Sequence, residues 1–276
     1  MRISSLSIIL AIPFLLSLAI LLPLSFSYEY KHLMGWIILP IMMLTFLYTF
    51  RPQIDYWWIQ RKKIGLDKPL VNWLEENSEF YKKLSVEEKL IFEQRAGLFL
   101  DSKDFSLKAV EDHKIPEQYK LLSAHEALRI TWHHEDFLFK NYDRIILYPH
   151  AFPTPDHKYL HPYEVHQTDG IILISKPHLI NGFINTLQFF NIGLYVWITA
   201  HMKDTKHGGY PMINATEISA LDPILPYSTD KIRELVGERL LITQAIYAYS
   251  FFENRVQFDI NFPKYSIAFK KIFEPH

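Results

Sequence analysis

The chain opens on two long apolar runs and then changes character. Ile3 to Tyr28 carries no charged side chain. A bilayer core is crossed by roughly 20 apolar residues in a helix, and this run has that length. Pro13 and Pro23 lie inside it, and membrane helices tolerate proline better than exposed ones do. After the polar link Glu29 to His32, a second uncharged run extends from Leu33 to Phe50. It is shorter but within the spanning range of about 17–25 residues. The pattern predicts two transmembrane helices, about 5–26 and 33–50, forming a membrane anchor over residues 1–51. Arg51, Arg61, Lys62 and Lys63 follow, with Tyr56, Trp57 and Trp58 among them. Positive residues beside a span favour the cytoplasmic side, and aromatic rings favour the headgroup level. The expected arrangement is a hairpin in the inner (cytoplasmic) membrane, with the remainder of the chain facing the cytoplasm. In the alternative, the first run is a signal peptide cleaved near Ser25-Phe26-Ser27, which leaves that orientation unchanged.

Residues 52–74 read as a juxtamembrane linker and 75–276 as one domain. Ser85, Val86, Glu87 and Glu88 form a capping-box pattern. The helix it opens runs to about Lys103, with Leu90, Ile91, Phe92, Leu98 and Phe99 as core candidates. Pro116 suits a first helical position, and a second helix follows to about Trp132. Arg144 to Pro149 and Gly170 to Ser175 read as strands, the first stopped by its proline. His166 falls on a further candidate strand. A helical stretch starts at Pro177. Phe189 to Met202 is apolar on all faces, the pattern of a buried helix. Asp230 to about Glu253 reads as one long helix, and a last one begins after Pro263. The fold class is α+β, mainly helical with a small sheet.

Composition narrows the function. The formal net charge of -1 argues against nucleic acid as a partner, because phosphate binding needs a basic face. The chain has no cysteine, which excludes disulfides and thiolate chemistry. It contains no phosphate-loop, dinucleotide-loop or nucleophile-elbow motif. Glu87, Glu88, Glu111 and Asp112 read as solvated faces. Of 13 histidines, ten lie between His125 and His207. His125-Glu126 starts like HExxH but lacks the second His, and His133 and His134 are adjacent. His157 and His161 have i, i+4 spacing among prolines that disfavour a helix. A scattered set of this kind reads as a polar loop surface. The sharper alternative is a metal site built on His157, His161, His166 or His201.

Several stretches carry a family resemblance. They are Phe80 to Ser85 with Arg95 to Phe105; Arg144 to Pro149 with Ala151-Phe152; Gly170 to Ser175; and Ser250 to Glu253 with Phe262 to Tyr265. In this order they resemble the MtfA (Mlc titration factor A) family of zinc-dependent peptidases, over about residues 75–274. The resemblance implies a zincin-like fold. It also implies a helix bearing HExxH, in which two His one turn apart hold zinc and the Glu is general base. A third ligand comes from a later helix. Asn191 and Leu194 hold the register of the motif helix. The first His then falls on Tyr195, the base on Val196 and the second His on Thr199. Counting back from Phe251, the third ligand falls on Tyr249. Phenol and hydroxyl are poor zinc ligands beside imidazole, and Val cannot move a proton. Tyr195, Thr199 and Tyr249 are expected to cluster with their hydroxyls hydrogen-bonded.

The reading is therefore a membrane-anchored, catalytically inactive relative of MtfA-type peptidases. It needs no cofactor and acts by binding a cytoplasmic protein, such as a transcription regulator, at the lipid bilayer. The alternatives are an active metallopeptidase with a relocated, His-rich zinc site, and a structural membrane protein unrelated to peptidases.

Overall fold

The computed structural model describes residues 6–26, 34–51, 53–54, 57–58, 65–108, 115–155, 158–205, 209–237 and 242–275. The chain divides into two compact units, Met1–Lys63 and Ile64–His276. The first holds helices α1 (Leu6–Ser25) and α2 (Ile38–Thr49), which pack on each other. α1 contains both prolines and presents Leu15, Leu16 and Ile20 outward. It is long and apolar enough to cross a membrane, and among the described residues it is alone in that. The second apolar helix, Met34–Thr49, whose residues 34–37 form a 3-10 turn, is shorter than α1 and below that length. Glu29 to Leu33, Tyr56 and the 61–63 basic cluster lie outside the described residues.

The second unit is mainly helical around a small mixed sheet. Helix α3 (Lys68–Asn77) occupies part of the stretch that reads as linker, with Leu70 and Leu74 buried. A short helix α4 (Glu79–Lys82) follows, capped by Ser78. Helix α5 (Val86–Ser102) starts with the capping box, both reciprocal bonds present between Ser85 and Glu88. Phe92, Leu98 and Phe99 are buried on it. Leu90 and Ile91 are not, at 59% and 44% exposed. They project from the opposite face, so the apolar stretch is wider than the buried stripe. Strand β1 (Asp104–Leu107) comes next, then helix α6 (Glu117–Ile130), strands β2 (Arg144–Tyr148), β3 (Tyr163–His166) and β4 (Ile171–Ser175), and helix α7 (Lys176–Ile184). The sheet order is β1-β2-β4-β3. β1, β2 and β4 run parallel, with Ile145 opposite Ile172 and Leu147 opposite Ile174. β3 joins β4 antiparallel, at the edge.

Helix α8 (Ile192–Asp204) is the centre of the unit. Asn191 caps it, its Oδ1 accepting from Leu194 N at 3.1 Å. Every residue from Ile192 to Met202 is buried, as its all-round apolar pattern predicts. Helices α6 and α7 and strand β3 pack against it. Trp197 fills the space between Phe99 and Phe139 and donates its indole N–H to Ser123 Oγ at 3.1 Å. Gly182 lets α7 approach the start of α8, because a Cβ there would collide with Phe190 O and Asn191 Cα.

The expected long helix from Asp230 to Glu253 is two helices, α9 (Thr229–Val236) and α10 (Thr243–Glu253). Gly237, at φ 71°, ends α9 in the left-handed conformation that glycine adopts without steric penalty. Helices α11 (Arg255–Asn261) and α12 (Pro263–Phe273) close the chain.

Candidate functional site

Tyr195 and Thr199 sit one turn apart on α8, so they share a face. Thr199 Oγ1 donates to Tyr195 O at 2.9 Å. The Tyr195 ring is fully buried and meets Tyr163 of β3 and Phe190 edge-on, each at 5.5 Å. Val196 is also fully buried. Tyr249 comes from α10, stacks on Phe190 at 4.4 Å, and accepts from Asn191 N at 3.2 Å. Burial pushes its phenol pKa well above the ordinary value. Tyr195 and Tyr249 therefore meet through Phe190. Tyr249, however, reaches α8 at its first turn rather than at the level of Thr199.

A cavity of about 330 Å³ lies beside Thr199, lined also by Tyr163, Glu164, His166, Lys203 and Ile242. His161 is in its wall. Glu164 gathers the polar groups there. Its Oε1 accepts from Thr154 Oγ1 at 2.5 Å and lies 2.9 Å from His161 Nε2, and its Oε2 lies 2.6 Å from His166 Nε2. Burial pushes this carboxyl up, but the bonds from Thr154 and His166 and the nearby His161 hold it below the usual range. His161 Nδ1 faces Tyr159 O at 2.9 Å.

Of the four histidines of the alternative metal site, the structure thus brings His161 and His166 onto one carboxylate. His201 is elsewhere, its Nδ1 at 3.0 Å from Tyr210 Oη and its ring against His134 and Phe273. Burial lowers its pKa to about 4. His157 lies outside the described residues. No group of three His, Asp or Glu is placed to hold a metal ion among the described residues.

The glucose-regulated metallo-peptidase M90 family matches residues 54–213, more than half of the chain and inclusive of α8. The chain belongs to that family. This is the MtfA-type peptidase family of the sequence resemblance. No curated protein matches the chain. The M90 match ends before α10, so Tyr249 and Ile242 lie beyond it.

The M90 chain also holds a polar constellation that sequence reasoning missed. Ser78, His125, Glu126, Arg129 and Glu253 line a second cleft, of about 780 Å³, near the N-cap of α8. Arg129 Nη1 donates to Glu253 Oε1 at 2.7 Å, and Nη2 to Phe252 O at 2.6 Å. The sequence signal for it was the adjacent polar pair His125 and Glu126 within the otherwise mostly apolar middle of α6.

Proposed function

We propose that this chain is a membrane-anchored M90 relative without zinc-peptidase activity, acting by binding a cytoplasmic protein partner. One observation supports the reading: α8 is buried from Ile192 to Met202, and in the register the resemblance implies, its Tyr195, Val196 and Thr199 stand for the family's ligands and base. These side chains do not fit zinc. The Tyr195 ring is packed among aromatic rings, and Thr199 offers a neutral hydroxyl, a poor zinc ligand beside imidazole. For the third ligand, Ile242 is the better spatial match than Tyr249. Ile242 shares the cavity with Thr199, and it has no ligating atom. A transcription regulator fits the resemblance as the partner class.

The two apolar helices serve as the anchor in this reading, with Arg51 and the basic cluster that follows holding the domain inside. Because the chain has no cysteine, a single cysteine replacing the exposed Met212 reports topology. Labelling by an impermeant maleimide only after the membrane is opened supports the inward orientation, and labelling of intact cells contradicts it. A peptidase assay on unfolded protein substrates tests the inactivity. No cleavage is expected, and chelator-sensitive cleavage overturns it.

A second reading is an active enzyme with relocated zinc, favoured by the convergence of His161 and His166 on Glu164. It requires the metal to take over both imidazoles from that carboxylate. Loss of cleavage in His166→Ala would support it.

A further inference from the structure

We propose that Ser78, His125 and Glu126 form an acyl-transfer site of the serine-hydrolase kind, separate from the M90 motif helix and independent of metal. Ser78 Oγ lies 2.7 Å from His125 Nε2. His125 Nδ1 lies 3.2 Å from Glu126 Oε1. All three line the 780 Å³ cleft.

The hydrogen-bond pattern selects one tautomer. The ionised Glu126 carboxylate only accepts, so the His125 ring proton faces it from Nδ1, and Ser78 Oγ, which accepts from Tyr81 N at 3.0 Å, directs its own proton to His125 Nε2. That nitrogen is then an acceptor, and the ring proton sits on Nδ1, aimed at Glu126. This is the arrangement in which imidazole accepts the serine proton while the carboxylate stabilises the resulting imidazolium. Three aromatic rings, Phe183 at 4.8 Å, Phe92 at 5.7 Å and Phe80 at 5.8 Å, hold the imidazole edge-on or nearly so. Burial pushes the Glu126 carboxyl up, but His125 and Arg129 hold it below the usual range, so it stays ionised. Ser78 itself occupies an extended break between α3 and α4, at φ -114° and ψ 108°.

Phe80, Trp132, Phe183 and Phe252 form an apolar part of a cleft wall that is otherwise largely charged and polar, and these rings suit the apolar acyl group of an ester. In the first half-reaction Oγ bonds to the acyl carbon and its proton passes to His125 Nε2. The ester C–O bond then breaks, and the leaving alcohol takes that proton. Water reverses the sequence: its proton goes to Nε2, its oxygen bonds to the acyl carbon, and the Ser78–acyl bond breaks. Oγ regains the proton, and a carboxylic acid leaves. His125 is the catalytic base, and Glu126 is a positioning residue.

The test is reaction of the full chain in detergent with an alkyl fluorophosphonate probe, the modified residue being mapped by mass spectrometry. Stoichiometric modification of Ser78, unaffected by chelator and abolished in Ser78→Ala, is the expected result. His125→Gln should slow modification about 10³-fold or more. Glu126→Gln should slow it about 10²-fold while leaving reversible probe affinity unchanged, a split that a merely structural carboxylate would not produce. Failure of the unaltered chain to react at Ser78, in conditions that modify a known serine hydrolase, overturns the proposal. That outcome leaves the zinc question untouched.

Discussion

Replacing Tyr195 by alanine asks directly whether the motif helix is a closed core or an open site. The side chain is fully buried, with rings at 5.5 Å on two sides. Truncating a buried aromatic costs about 3–5 kcal/mol in transfer and cavity terms. The two edge-on pairs put this position toward the upper part of that range, at about 0.5–1.5 kcal/mol each. For a unit of this size each kcal/mol lowers Tm by roughly 2–4 °C, so a fall of about 6–20 °C is expected. The measurement is thermal unfolding of the full chain in detergent, followed by near-ultraviolet circular dichroism. A residue lining an open, ligand-ready site would behave like a surface position, within about 0.5 kcal/mol. A fall in Tm of less than about 2 °C would therefore refute the packing argument.

Other predictions follow from the same geometry. His201 is neutral in the fold with a pKa of about 4 against 6.5 unfolded. Between those values the unfolded chain binds the extra proton, so stability falls as pH drops from 6.5 toward 4, by on the order of 3 kcal/mol. Urea titrations across that window should show it, and His201→Leu should flatten it. Lys103 is buried against Phe139 O, and its pKa is lowered to about 8 from 10.5, chiefly by burial. The unfolded chain again binds more protons, so stability rises with pH above 8, a rise that Lys103→Met should abolish over pH 8 to about 9.5. Gly182→Ala should destabilise the protein by about 1–3 kcal/mol in the same assay, because the new methyl meets backbone at Phe190 and Asn191.

Local signals in the sequence carried much of the fold. The Ser85–Glu88 box, the Pro-stopped strand at Arg144 and the all-round apolar α8 each depend on near neighbours, and each is found. What was not legible depends on distant partners. β1, Asp-Phe-Ser-Leu, alternates polar and apolar positions over only four residues, too short a run to read as a strand, and exists because Asp104 to Leu107 pair with Arg144 to Leu147. Gly237 breaks the expected long helix because its φ, not its hydropathy, sets the boundary. In the candidate site, the shared face of Tyr195 and Thr199 follows from helical spacing alone. The approach of Ile242 to Thr199, and of Ser78 to His125 across 47 residues, is tertiary. The histidine-rich stretch shows the same limit: spacing offered four candidates, and packing placed His161 and His166 together while sending His201 to another part of the core.

The central claim is that an M90 helix with Tyr195, Val196 and Thr199 in place of ligands and base holds no catalytic zinc. Zinc analysis of the purified full chain, after chelator treatment, reloading with zinc and removal of excess metal, tests it most directly. The account predicts no stoichiometric zinc. One tightly held zinc ion per chain, retained through that removal, would contradict it.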